Sequence, residues 1–304
     1  MYDVIVVGGG PAGMTAALYA QRNGKSALVI EKSGFGGQIT HSPKIENFPG
    51  FVSISGNELA DKMLEQILAQ GAEIEFETVT GVRTEDGVKV VETEEGSRFE
   101  GRSVILATGV KHRLLGLPGE EELIGEGISF CAVCDGDFYA GKTVAVIGGG
   151  NSALQEAILL AGKCKEVIML QDLPFFTGEE KLQEVLFAFP NVRAYTGVGV
   201  AEYLTGENGL RGVLMEYREG GRREEIACDG VFVAIGLIPE NGAFASNADL
   251  DERGYFDADE SCMTKTPGVF VAGDCRRKNI RQVTTAASDG ATAALAACRY
   301  LNGL

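Results

Sequence analysis

The sequence predicts an α/β protein made of two Rossmann-like dinucleotide-binding domains, the second inserted in the first. Three observations predict it. A short apolar strand runs into Gly8-Gly9-Gly10-Pro11-Ala12-Gly13 at the start of a helix. The same strand, turn and helix return at Gly148-Gly149-Gly150-Asn151-Ser152-Ala153. The segment that ends in Val271-Ala272-Gly273-Asp274 reads as further cofactor-site sequence and not as a separate module. A strand that feeds a Gly turn and a helix N-terminus is an anion-binding device, since free N–H groups and the helix dipole face the phosphates.

Composition sets the bounds. A chain of 304 residues has room for two domains, and 45% apolar residues with 42 Gly suit an α/β enzyme. The net charge of −16 disfavours nonspecific nucleic-acid binding and anionic membranes, which both need a basic face. No run reaches the roughly 18 apolar residues of a membrane span, and Gly8, Gly9 and Gly10 interrupt what would be a signal peptide's core. A cytoplasmic protein is expected. Seven cysteines include one close pair, Cys131 and Cys134, which is not the dense, even pattern of a secreted disulfide scaffold. In a reducing compartment such a pair is catalytic, metal-binding or accidental. A zinc site needs a second pair of ligands, and none is spaced for it, so no metal is expected.

In chain order, residues 3–7 form a β-branched strand and residues 14–22 a helix. Gly8 permits the turn, Gly10 allows close approach to a pyrophosphate and Gly13 allows tight helix–strand packing. The strand at 27–30 then delivers Glu31, 23 positions past Gly8, where a ribose-hydroxyl acceptor is expected. Phe35-Gly36-Gly37-Gln38 and Glu46-Asn47-Phe48-Pro49-Gly50 read as loops that carry polar groups to a ligand. A helix is expected over 59–70 and short strands over 73–76, 79–83, 88–92 and 98–100. A buried strand from Val104 ends in Ala107-Thr108-Gly109, small residues suited to passing a cofactor.

The second unit lies 140 positions after the first, and that offset carries Glu31 onto Gln171 without a gap. It is an internal duplication of one nucleotide-binding unit. Gln171 lacks the charge of Glu31. Asp172, 24 positions past Gly148, is either a plain exposed loop acid or an acceptor for a 2′-hydroxyl, where it would repel a 2′-phosphate. Toward the C-terminus, Asp274 can accept from a ribityl hydroxyl, and Arg281-Gln282-Val283 lead into a small-residue helix over 285–300. The first domain is therefore discontinuous, residues 1–114 and 242–304, with 115–241 inserted. His41 and His112 show no partner pattern, and plain surface roles are expected of both.

Taken together these residues resemble the low-molecular-weight thioredoxin reductases, a family of pyridine nucleotide-disulfide oxidoreductases. The resemblance spans the chain. It rests on Gly8, Gly10 and Gly13 with Glu31, on Gly36-Gly37-Gln38, Glu46-Asn47-Phe48-Pro49-Gly50 and Ala107-Thr108-Gly109, on Cys131-x-x-Cys134-Asp135, and on Gly273-Asp274 with Arg281-Gln282. It implies FAD in the discontinuous domain, a redox disulfide in the inserted one, and a thioredoxin-like protein as substrate. It also implies that Cys134 faces the flavin, that Cys131 attacks the partner's disulfide, that Asp135 moves a proton, and that the protein is a homodimer.

One stretch departs from the family. A basic His-Arg-Arg with a further Arg usually follows the second unit's second strand, whereas here Gln171-Asp172-Leu173 and Phe176-Thr177 stand there. NADH is therefore expected over NADPH, held by Gly148, Gly150, Asn151, Ser152, Ala153 and Asp172. Reduced ferredoxin or another flavoprotein is the alternative donor, and a flavin redox sensor without nicotinamide turnover is the alternative function. An acidic ferredoxin would need a local basic patch on a −16 protein, and Arg276, Arg277, Lys278 and Arg281 form the candidate, although the resemblance assigns Arg281 to the flavin region and the cluster would then serve to neutralise FAD phosphates.

Overall fold

The computed structural model describes residues 1–42, 44–206 and 209–303. The chain divides into two compact units, Met1–Lys111 with Ile238–Leu304, and His112–Leu237. Asn241, read from sequence as the last residue of the insertion, is buried in the first unit. Its side chain accepts from Thr108 Oγ1 and donates to the carbonyls of Gly254 and Cys275. Among the described residues no helix is long and apolar enough to cross a membrane.

The first unit is built on parallel strands in the order Glu73–Phe76, Ala27–Glu31, Tyr2–Val7 and Arg98–Leu106. Val269–Val271 joins the far end of Arg98–Leu106 in parallel, while Val88–Thr93 and Val79–Glu85 extend the sheet antiparallel from its near end. Val4, Ile5 and Val6 are completely buried, as a strand covered on both faces must be. Arg98–Leu106 is one continuous strand where the sequence suggested two pieces. Gly101 makes this possible, because a side chain there would strike Ile5.

One face of that sheet is covered by Pro11–Arg22 and the C-terminal helix Val283–Leu301. The two helices approach closely because their facing residues are small. Ala12, Ala16 and Ala17 meet Ala286, Ala293 and Ala294, and a Cβ on Gly290 would lie 2.1 Å from the Ala12 carbonyl oxygen. Gly56–Ala69 starts at Ser55, whose hydroxyl accepts from Glu58 N at 3.1 Å, three residues earlier than periodicity suggested.

The second unit repeats the plan. Its parallel strands run in the order Val192–Thr196, Glu166–Gln171, Thr143–Ile147, Gly230–Val233 and Ile128–Ser129. Asn151–Ala161 and Glu180–Phe187 are its longer helices. A three-stranded antiparallel sheet, Val198–Gly206, Gly209–Tyr217 and Arg223–Ala227, adds a layer that the sequence reading did not resolve. Its inward residues Tyr203, Val213, Met215 and Ile226 share one core with Ile147 and Leu170.

Candidate active site

The first Gly turn is fixed by backbone contact. Gly8 has φ +108°, and a Cβ there would lie 2.3 Å from the Ala107 carbonyl oxygen; one on Gly13 would lie 1.9 Å from that of Gly8. Gly10 caps Pro11–Arg22, and its Cβ position is open, with no protein atom within 4 Å. Ala12 and Gly13 are buried behind the turn. Glu31, 9% exposed, accepts from Gly9 N through Oε2 at 2.6 Å and from Ser33 N through Oε1 at 3.0 Å. The acid is thereby locked beside the turn with lone pairs to spare.

Other residues singled out in sequence gather around this turn in the same unit. Gly37 stands 3.6 Å from the Gly10 Cα, measured from its Cβ position, and Gln38 follows it, exposed. Asn47 Nδ2 donates to Gln282 Oε1 at 3.1 Å, joining two distant segments of the chain. Gln282 caps Val283–Leu301 in a capping box with Thr285, and Val283 packs on the cluster of Ile39, Ile45 and Leu59. Gly273 sits where a Cβ would meet that of Ala12 at 2.7 Å. Gly109, past Ala107 and Thr108, has φ +67°. Asp274 is half-buried, its Oδ1 is inaccessible and has no hydrogen-bond partner among the described residues, and desolvation pushes its carboxyl up to about 6.

Two members of the basic cluster, Arg276 and Lys278, prove to be internal. Arg276 donates to both carboxylate oxygens of Asp289, at 2.8 and 2.9 Å, and Lys278 donates to Oδ2 at 2.9 Å. Asp289 Oδ2 also accepts from Gly273 N at 3.1 Å, so the network braces the loop that bears Asp274. The side chains of Arg276 and Lys278 are 3% and 6% exposed and cannot form the docking patch considered above. Arg277 pairs with Asp257 at the surface, and Arg281 lies over Tyr255 with its Nε donating to the Asp274 carbonyl. Asp289 escaped the sequence reading; an acid inside an Ala-rich helix was its one signal.

The second turn copies the first in backbone and differs in side chains. Gly148 has φ +128°, and a Cβ there would lie 2.5 Å from the Ala234 carbonyl oxygen, as Gly8 stands to Ala107. Gly148 N donates to Leu170 O at 2.9 Å, as Gly8 N donates to Ile30 O at 2.8 Å. Gln171 packs against Gly149 but turns its amide to the Phe175 carbonyl. Asn151 is paired with Glu179, through Nδ2 to Oε1 and Oδ1 from the Glu179 N–H. Ser152 is exposed and Ala153 buried; Asp172 is exposed.

In the same unit Cys131 and Cys134 form a disulfide, with Cα atoms 5.3 Å apart. Cys131 caps the short helix Ala132–Asp135, its Sγ accepting from Cys134 N at 3.1 Å. Val133, 51% exposed, marks an open side of the pair. Asp135 accepts from Ser129 Oγ at 2.6 Å through Oδ2, its Oδ1 has no partner among the described residues, and burial raises its carboxyl. Sequence reasoning missed two neighbours. His112, read as a plain surface residue, is half-buried and stacks on Phe130 with ring centroids 4.2 Å apart. Glu156 reaches the Ala132 N–H from Asn151–Ala161, and no local pattern advertises that contact.

Residues 2–290 match the family model described as pyridine nucleotide-disulphide oxidoreductase. A thioredoxin reductase of Treponema pallidum is 41% identical over 304 residues, covering all of this chain and 98% of its own length. The chain belongs to the pyridine nucleotide-disulphide oxidoreductase family. Within this family it is of the low-molecular-weight thioredoxin reductase type. The thioredoxin reductase of Bacillus subtilis is 39% identical over 306 residues, covering the whole chain and 96% of the relative. The crystal structure of a thioredoxin reductase from Streptococcus pyogenes superposes with a TM-score of 0.93 at 38% identity, covering all of this chain and 99% of that one.

As a member of the family the chain is an FAD-dependent disulfide oxidoreductase with Rossmann-like domains. The first unit fits that cofactor on its own geometry. The open Cβ position at Gly10 leaves room against the helix N-terminus for a pyrophosphate, and the buried, unpartnered Oδ1 of Asp274 is an acceptor suited to a hydroxyl donor.

Proposed function

We propose that this oxidoreductase reduces the disulfide of a thioredoxin-like protein through Cys131–Cys134, with NADH as its preferred donor over NADPH. The observation that carries the reading is the Cys131–Cys134 disulfide with the half-buried Asp135 directly after it, in the unit that also holds the second dinucleotide turn. A cytoplasmic homodimer is part of the proposal; the five remaining cysteines are free and buried, as in a reducing compartment.

In this reading Gly10, Pro11, Ala12 and Gly13 hold the FAD pyrophosphate, Glu31 the adenosine ribose, and Asp274 the ribityl chain. Gly37, Gln38, Asn47, Ala107, Thr108, Gly109, Gly273, Arg281, Gln282 and Val283 complete the flavin site. FAD when bound supplies a two-electron carrier between donor and disulfide. Gly148, Gly150, Asn151, Ser152, Ala153 and Asp172 hold the nicotinamide dinucleotide, with Asp172 accepting from the 2′-hydroxyl. Cys134 takes electrons from the flavin side and Cys131 attacks the partner. The attacking sulfur must be a thiolate, and Asp135, raised by burial, is suited to carry the proton that leaves or returns.

Anaerobic titration of the holoenzyme tests the relay. The flavin and the disulfide should each take up two electrons, and Cys131→Ser should abolish reduction of a thioredoxin while the flavin still bleaches. Parental turnover by Cys131→Ser would overturn the assignment. Holoenzyme whose flavin is bleached by neither nicotinamide would instead favour the redox-sensor reading.

A further inference from the structure

The helix that carries the disulfide is too short to satisfy its own first N–H groups. Ala132–Asp135 spans four residues, and Ala132 is 2% exposed, so its N–H has little access to water. Glu156 Oε2, from the second turn of Asn151–Ala161, accepts from that N–H. The peptide that it holds joins Cys131 to the segment leading to Cys134. Burial pushes the Glu156 carboxyl up to about 7, the Asp135 charge adds to that rise, and the Ala132 N–H opposes it.

We propose that Glu156 is a positioning residue for the redox pair: it holds the Ala132 peptide between the two cysteines, and its charge sets how much thiolate the reduced pair carries. When two electrons enter, the Cys131–Cys134 S–S bond breaks, and the sulfurs hold either two protons or one proton and one negative charge. A carboxylate at Glu156 disfavours that negative charge, and a protonated carboxyl does not. Carboxyl and thiol therefore titrate as one coupled system near neutral pH. Asp135 belongs to the same system, since its charge acts on Glu156 and adds to the burial that pushes the Tyr139 hydroxyl up to about 12. Further ionisable groups lie on adjoining elements: Lys142 stands over the Tyr139 ring, and Cys228, Asp229 and Glu126 act on its hydroxyl. Asp137 pairs with Lys163 at the surface, Glu166 with Arg193, and Glu180, Lys181 and Glu184 lie along the neighbouring helix. Cys164 is buried with its thiol raised to about 11.

The inference rests on the disulfide-reductase reading, but on neither its donor nor its acceptor protein. Glu156→Gln retains an acceptor for the Ala132 N–H and removes the charge. Holoenzyme reduced anaerobically with dithionite is alkylated with iodoacetamide over about pH 5 to pH 9, the range spanning carboxyl and thiol titration, and modification of the pair is read by peptide mass spectrometry. The parent should alkylate in two coupled steps. Glu156→Gln should show one step at lower pH, with about threefold more thiolate at neutrality, and Asp135→Asn should keep the Glu156 step. Superposed parent and Glu156→Gln profiles would overturn the proposal. A second measurement guards against a misfolded Glu156→Gln: reduced-minus-oxidised infrared spectra of the parent at neutral pH should gain a protonated-carboxyl band that persists in Asp135→Asn, and its absence from the parent would likewise overturn the coupling. Neither experiment uses a nicotinamide or a thioredoxin, so failure of those assignments leaves this one testable.

Discussion

Asp274 concentrates the residue-scale chemistry of the first unit. It is half-buried, one carboxylate oxygen is inaccessible and unpartnered among the described residues, and the adjoining loop is fixed by Asp289 from behind. An acid in that position favours a ligand that donates hydrogen bonds. Asp274→Asn keeps the shape but replaces a charged acceptor with a neutral amide, and flavin affinity should fall about tenfold or more. The ratio of flavin to protein absorbance after dialysis measures it, and parental retention would contradict the role. The side chains legible from sequence were those whose spacing is local. Glu31 lies at a fixed distance from its turn, and Cys131 and Cys134 lie three apart. Glu156 and Asp289 were not legible in the same way. Their partners, Ala132 and Arg276, are brought to them by helix packing and by a loop, and no spacing rule encodes that.

At the scale of elements, packing distances make sharper predictions than composition. The helices Pro11–Arg22 and Val283–Leu301 meet at Gly290, where an added Cβ would overlap the Ala12 carbonyl oxygen. Gly290→Ala must push the helices apart, and should cost about 3 kcal/mol and lower the melting temperature by several degrees. Gly162→Ala is the control, since its Cβ would meet only ordinary contact at 3.6 Å, and should stay close to parental. The link between Asn151–Ala161 and Ala132–Asp135 gives a pH dependence. The Glu156 carboxyl rises from 4.5 to about 7 in the folded protein, so the native state holds this proton more tightly than the unfolded chain. That contribution is present below about pH 4.5, is lost as pH rises toward 7, and is gone above it. Denaturant unfolding should therefore show Glu156→Gln gaining about 2 kcal/mol over the parent on going from pH 5 to pH 8. A constant difference across that range would refute the buried ionisation. The strands and turns that were legible carry β-branched runs closed by Gly. The antiparallel sheet from Val198 to Ala227 was not, because its register shifts near Val200 and Leu204 break the simple alternation that marks a strand.

The molecule as a whole is one nucleotide-binding unit written twice and then made unequal. Gly8 and Gly148 repeat the backbone to within a few tenths of an ångström in their closest approaches, since each turn must avoid the carbonyl of the neighbouring strand. That constraint made the duplication readable over 140 residues. Charge is under no such constraint. Glu31 grips its own turn, whereas Gln171 bonds Phe175 and the exposed Asp172 is the next acid along the chain. A 2′-phosphate would bring negative charge toward Asp172 on a protein of net charge −16, and residues 171–178 contain no Arg or Lys to meet it. Repulsion of this kind is worth about 1 kcal/mol or more for near-surface charges, so stopped-flow flavin reduction should be at least about fivefold faster with NADH than with NADPH at equal subsaturating concentration. Added salt should narrow that ratio by screening the exposed acid. Asp172→Ala should narrow it by speeding NADPH, and Gln171→Arg with Asp172→Arg should reverse it by giving the phosphate a bidentate partner. Equal rates in the unsubstituted protein, or a ratio indifferent to both salt and Asp172, would show that the second turn selects its nucleotide by some feature other than this charge.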